Sequence, residues 1–244
     1  MEYSQFLDAL RRDTSAFEAD ITTAGWTATV PSCPGWTASD LCWHLTEVLA
    51  FWGTVVAERR QDLHGLERLQ RPDDAQLLAL FAQQASFVIG ALASATPGEM
   101  IWTWTNDRTV GFAGRRMAHE TAVHACDAAL AAARVPAMDS TLASDGIDEF
   151  LEHFVHRALP DAEPIGGSVH VHCGDVPGEW TIQPPPTPGE RYSVTREHAK
   201  GDCALRGEAA NLLFALWRRT GPESIDIVGD TDVARRFLAA TNLS

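Results

Sequence analysis

The chain is short of positive charge. Lysine and arginine together number 19 against 33 aspartates and glutamates, a net charge of −14 over 244 residues. No basic cluster runs longer than a pair such as Arg115-Arg116 or Arg218-Arg219. Phosphate binding needs a concentrated positive surface, so the composition argues against a nucleic-acid partner. Long apolar runs are missing too: none reaches the ~18 residues of a membrane-spanning helix, and no membrane association is expected. The opening MEYSQFLDALRRDTSAF (1–17) has no basic stretch followed by an apolar one and reads as an amphipathic helix of a cytoplasmic protein, not as a signal peptide. The five cysteines, Cys33, Cys42, Cys126, Cys173 and Cys203, are scattered and form no CxxC pair. That excludes a disulfide framework and a cysteine-rich zinc site, and leaves reduced thiols. GxSxG is absent, which removes local support for Ser/His/Asp catalysis. GxGxxG and GxxxxGK are absent as well, so no phosphate-cradling glycine loop is present.

What remains is an ordinary globular composition, 45% hydrophobic and 21% charged, ample for a sizeable core. Two textures divide it. Up to about residue 160 the apolar spacing is helical; from about 166 it shortens and alternates. LPDAEPIGG (159–167) suits a linker between them, so the expected domains are 1–162, a helical bundle, and 163–244, a smaller α+β domain. Helices are expected over Tyr3–Thr23, Ala38–Arg60, Asp74–Ala93, Gly114–Ala133 and Ser140–Leu159. Thr37, followed at the third position by Asp40, forms a good start for the second; its core stripe is Leu41, Leu45, Val48, Trp52 and Val55. SVHVHC (168–173), EWTIQ (179–183), YSVTR (192–196), DCALRG (202–207) and IDIVG (225–229) read as strands. Helices follow at Glu208–Arg219 and after Asp230, to about Ala240. PPPTPG (184–189) is expected to be an extended connection.

RRMAHETAVHACD (115–127) is close to the HExxH zinc-protease signature but departs from it by one residue. His119 and His124 are five apart, ~140° around a helix, whereas chelation from one face needs four. Glu120 and His124 are the pair one turn apart, on the side of Met117, Ala128 and Ala131, and so turned inward. An inward carboxylate is costly unless it is paired or metal-bound. Pairing with an arginine or with His124 itself is one account, and metal binding the other. His44 shifts the balance, because it sits within the stripe of the second helix between Leu41 and Val48. Bundle cores build metal sites from facing helices in this manner. His44, Glu120 and His124 would be three ligands with a fourth position open, which suits Zn²⁺ before Ni²⁺, Mn²⁺ or Fe²⁺.

VPSCPGWTASDLCWHL (30–45) followed by RRMAHETAVHACDA (115–128) resembles the mycothiol-dependent maleylpyruvate isomerase family, within the DinB-like metalloenzyme superfamily. The matching features are the PxCPGWT entry, D-L-x-x-H-L and H-E-x-x-x-H-x-x-D. In the second half VHVHCGDVPGEWTI (169–182), GEAANLLFALWRR (207–219) and VGDTDVARRFLA (228–239) extend the resemblance over nearly the whole chain. It implies a DinB-like bundle holding a divalent metal, usually zinc, on His44, Glu120 and His124, and mycothiol as a thiol co-substrate. It also implies that the α+β domain closes over the site. A metal-bound thiol deprotonates readily. The thiolate can add to an electrophilic alkene, allow rotation and leave, or displace a leaving group and stay. S-transfer is the reading preferred over maleylpyruvate isomerisation itself, since a fold carries more than one chemistry. The rivals are a hydrolase using metal-bound water and a non-catalytic small-molecule-binding module. A monomer or homodimer acting on a small electrophile is expected.

Asp127 lies three residues beyond His124 and is a candidate to orient its imidazole; an exposed or helix-pairing carboxylate is the other reading. Cys126, about 200° around the helix from His124, is not expected to touch the metal. Arg219 resembles an arginine that the family places near its active site to bind a substrate carboxylate, with Arg218 the alternative. His170 and His172 share one strand face and could chelate a metal, but solvated polar positions on a half-buried strand are the reading preferred. His64, His153, His156 and His198 have no partner at ligand spacing. Trp36 is the tryptophan best placed to border a pocket.

Overall fold

The computed structural model describes residues 1–156, 163–185 and 191–241. Its contacts divide the chain into two units, Met1–Ala137 and Met138–Ser244.

The first unit is built from four helices, α1 (Tyr3–Ala24), α2 (Ala38–Ala57), α3 (Asp74–Ala93) and α4 (Val110–Ala131). The main packings are α1 on α4 and α2 on α3, with α2 also meeting α4. Each helix turns a stripe inward. Phe6, Leu10, Phe17 and Ile21 come from α1, Leu41, Leu45, Trp52 and Val55 from α2, and Leu77, Phe81, Val88 and Leu92 from α3. The three-, four- and seven-residue steps in these sets are the periodicity that makes one face apolar. Val48, placed in the α2 stripe by spacing, is only half-buried. By length and composition α3 could cross a bilayer. It passes although Gln83 and Gln84 interrupt its apolar sequence, and its Leu77–Leu92 stripe joins the bundle core.

Local chemistry fixes the helix starts. Thr37 and Asp40 bond reciprocally: the Asp40 amide donates to Thr37 Oγ1 (3.3 Å) and the Thr37 amide to Asp40 Oδ2 (3.0 Å), satisfying two otherwise orphaned donors. Arg71 Nη1 donates to the other oxygen of Asp40 at 2.8 Å. α4 starts at Val110, earlier than the expected Gly114, with the Thr109 hydroxyl accepting from the Phe112 amide at 3.2 Å. Gly111 and Gly114 do not break this helix. They admit close neighbours: a Cβ on Gly114 would stand 2.6 Å from the Tyr3 ring, and one on Gly111 3.2 Å from the Pro97 carbonyl.

The second unit opens with α5 (Ser140–Glu149), which continues into a π-helical turn, Phe150–Phe154. The helix expected over 140–159 thus changes its hydrogen-bond pattern before Leu159, which lies outside the described residues. α5 packs on α6 (Ala209–Leu216), so by contacts it falls with the second unit rather than within a domain reaching 162. The sheet has strands β1 (Val169–Cys173), β2 (Glu179–Gln183), β3 (Ser193–Thr195), β4 (Cys203–Gly207) and β5 (Asp226–Gly229), in the order β3-β2-β1-β4-β5. Among the described residues, β1 and β4 pair parallel and the other neighbours antiparallel. α7 (Thr231–Ala240), capped by Asp230, packs on β4 and β1. The two expected classes, a helical N-terminal domain and a small α+β domain with a mixed sheet, describe the fold. Part of the 159–167 linker and most of the proline-rich 184–189 stretch lie outside the described residues.

Candidate metal centre

His44 on α2 and Glu120 and His124 on α4 converge. Nε2 of His44 lies 3.2 Å from Oε1 of Glu120, and Nε2 of His124 lies 3.3 Å from the same oxygen. One ligand atom from each residue falls within 4.8 Å of the others. The imidazole rings of His44 and His124 meet edge to face at 4.9 Å. The one-turn spacing of Glu120 and His124 delivers both side chains to the face of α4 that meets α2. His44 is less deep than its stripe position suggests: its side chain is 37% exposed, against 7% for His124. It sits at the rim of the bundle, beside Trp36, whose ring centroid is 5.1 Å away.

Asp127 is fully buried, which removes the surface-carboxylate reading. Its Oδ2 lies 2.9 Å from Nδ1 of His124; since a carboxylate accepts, the ring donates there and its Nε2 is turned toward Glu120. The other oxygen of Asp127 accepts from Ser32 Oγ at 2.6 Å, and the Cys33 thiol donates to Oδ2 at 3.5 Å. Ser32 and Cys33 come from the tight loop before α2, closed by bonds between the Val30 amide and Trp36 carbonyl (3.0 Å) and between the Trp36 amide and Cys33 carbonyl (3.0 Å). Gly35, with φ +85°, makes that loop's turn available. The PSCPGWT stretch thus braces the carboxylate behind a candidate ligand, a role that no local spacing reveals.

Arg116 pairs with Oε2 of Glu120 one turn away on α4. Both accounts weighed for Glu120 therefore meet in one place, with one oxygen on an arginine and the other between two imidazoles. Burial alone would raise the Glu120 carboxyl, but Arg116, His124 and His44 outweigh it and hold it well below the usual range. Burial would likewise lower His124, and the bonds to Asp127 and Glu120 reverse this, raising it to about 9. Two imidazole nitrogens and a carboxylate oxygen fit a borderline divalent ion. His119 does not join them; it is buried against Phe6, ring centroids 5.8 Å apart. Cys126 points elsewhere, toward the Ala137 carbonyl at 3.8 Å.

A cavity of about 360 Å³ opens beside His44, lined also by Val48, Phe51, Trp52, Leu66 and Arg68. Burial pushes the thiols of Cys42 and Cys126 up to about 12 and those of Cys173 and Cys203 to about 11. Arg219 stands in the second unit, three residues past α6, and its Nη1 donates to the Trp217 carbonyl at 3.0 Å. Arg218, at φ +54°, donates to the Thr241 carbonyl.

Residues 7–129 match the mycothiol maleylpyruvate isomerase N-terminal domain, and residues 141–236 match the C-terminal domain of the same family. A crystal structure of a histidine-to-alanine mutant of the mycothiol-dependent maleylpyruvate isomerase superposes with a TM-score of 0.63 at 11% identity, covering 93% of each chain; at that identity the likeness speaks for the fold. No curated protein matches the chain. With both halves matched in order, the chain belongs to the mycothiol maleylpyruvate isomerase family of enzymes.

Proposed function

We propose that this enzyme uses mycothiol and a divalent metal, held by His44, Glu120 and His124, to act on a small electrophile. The reaction is cis–trans isomerisation of the maleylpyruvate kind or thiol S-transfer. The observation that carries this reading is the convergence of two imidazole nitrogens on one oxygen of Glu120, at 3.2 and 3.3 Å. Three protein donors with a position left open favour zinc. When bound, such an ion supplies the positive charge that keeps a thiol deprotonated at neutral pH.

The chain's own residues orient and balance. Asp127 holds the His124 ring with Nε2 facing Glu120 and makes that nitrogen more basic; Ser32 and Cys33 hold Asp127. Arg116 occupies Oε2 of Glu120 and leaves Oε1 to the imidazoles. The cavity beside His44 has the size of a small-ligand site, with Phe51 and Trp52 as apolar wall and Arg68 as a cation at its edge. The buried cysteines, with their thiols raised, are poor nucleophiles at neutral pH, which supports an external thiol as the sulfur source. Arg219 is the residue we assign to a substrate carboxylate.

The test is metal content by plasma mass spectrometry together with mycothiol-dependent turnover of maleylpyruvate and of a panel of electrophiles. Wild type should carry near-stoichiometric zinc, and His44→Ala and Glu120→Gln should lose both metal and turnover while retaining the wild-type circular dichroism. Full activity in protein stripped of metal would overturn the reading.

A further inference from the structure

A second cluster stands in the α+β unit. β1 and β2 are antiparallel with His172 opposite Glu179 and His170 opposite Thr181. Period-two alternation puts His170, His172, Glu179 and Thr181 on one face of the sheet. The Thr181 hydroxyl donates to the Glu197 carbonyl at 3.1 Å, which draws the segment after β3 onto this face and brings in His198. Three imidazoles then surround one carboxylate oxygen. Oε1 of Glu179 is 2.5 Å from Nδ1 of His172, 2.8 Å from Nδ1 of His198 and 3.7 Å from Nε2 of His170.

His170 corrects the expectation of a solvated strand face. It is 4% exposed, and its Nε2 is buried with no hydrogen-bond partner among the described residues. An orphaned buried nitrogen is costly and calls for an explanation. It is aimed at Glu179 but lies too far away for a hydrogen bond. The His170 and His198 rings stand perpendicular at 5.1 Å, and one ligand atom each from His170, Glu179 and His198 fall within 4.8 Å of one another.

We propose that His170, Glu179 and His198 form a second divalent-cation site, separate from the helical one, with His172 bonded to Glu179 and fixing its carboxylate. Imidazole-rich donors select borderline transition ions such as Zn²⁺, Ni²⁺ or Cu²⁺ over Ca²⁺ and Mg²⁺, which take oxygen. The ion would satisfy Nε2 of His170 and staple the segment carrying His198 to β1 and β2.

The test is equilibrium dialysis of the full chain against Zn²⁺ with metal counted by mass spectrometry, on wild type, His198→Ala, Glu179→Gln, Glu120→Gln and the surface control His64→Ala. The His198 side chain is 71% exposed, so its removal spares the fold even if a change at buried His170 does not. Wild type should bind two equivalents, one for each cluster. Glu120→Gln should keep the sheet equivalent, while His198→Ala and Glu179→Gln should weaken it by roughly ten-fold or more. A single equivalent that survives Glu120→Gln and is lost in His198→Ala would keep this site and sink the helical one. Zinc binding unchanged in His198→Ala and Glu179→Gln, or weakened equally in His64→Ala, would overturn the proposal.

Discussion

Asp127 accepts a hydrogen bond from Nδ1 of His124 at 2.9 Å from a position with no solvent exposure. An imidazole held this way has its tautomer and its direction set together. Asp127→Asn keeps the volume and removes the charge. It should weaken metal binding by about 10- to 100-fold, the range for lost partners behind a ligand, read by competition with a chromophoric chelator. Unchanged affinity would mean that Asp127 only fills its cavity.

Asp40 gives a pH prediction. Its bond to Arg71, then those to Thr37, lower its carboxyl to about 2, against about 3.9 when unfolded. A depressed carboxylate contributes stability that is present above the unfolded value and lost as pH falls through the folded one. Denaturant midpoints should therefore fall between about pH 4 and 2, and Asp40→Asn should flatten that limb. The side chain is 39% exposed, so the effect is screened and small.

Phe17 and Phe81 pack at 4.8 Å between ring centroids, both fully buried. Phe17→Ala should cost about 3–5 kcal/mol by chemical denaturation, with the helix content of the folded protein unchanged. A loss under about 1 kcal/mol would mean that the bundle collapses around the gap.

Arg218 and Arg219 are separable. Arg219→Ala should lower kcat/KM for a carboxylate substrate by about ten- to a hundred-fold, the worth of one charged hydrogen bond. Arg218→Ala should act on stability, through its bond to the Thr241 carbonyl. The reverse pattern would exchange their assignments.

Much of this was legible in the sequence because it rests on short-range rules. The start of α2 follows from its cap, Thr37 with Asp40, and the Glu120–His124 pair from one helical turn. What was not legible depends on contacts across the chain. The start of α4 was expected at Gly114 rather than Val110, and nothing local tells that Gly111 and Gly114 make room for the Pro97 carbonyl and the Tyr3 ring. Asp127 could be placed on a face but not at a depth, since the loop covering it lies some 95 residues away. Strand alternation put His170 and His172 on one face but could not say that Glu179 and the His198 segment cover it. His44 was read too deep, because a stripe gives direction and not the distance to the bundle's rim.

The four buried cysteines have a consequence for the protein's own survival. If the proposed chemistry holds, the enzyme works among electrophiles that alkylate any accessible thiolate. With the thiols of Cys42, Cys126, Cys173 and Cys203 raised to between about 11 and 12, almost none of that sulfur is ionised at neutral pH, and burial denies access to the rest. Cys33, part-exposed and bonded to Asp127, is where self-inflicted modification would concentrate, next to the residues that hold the proposed metal.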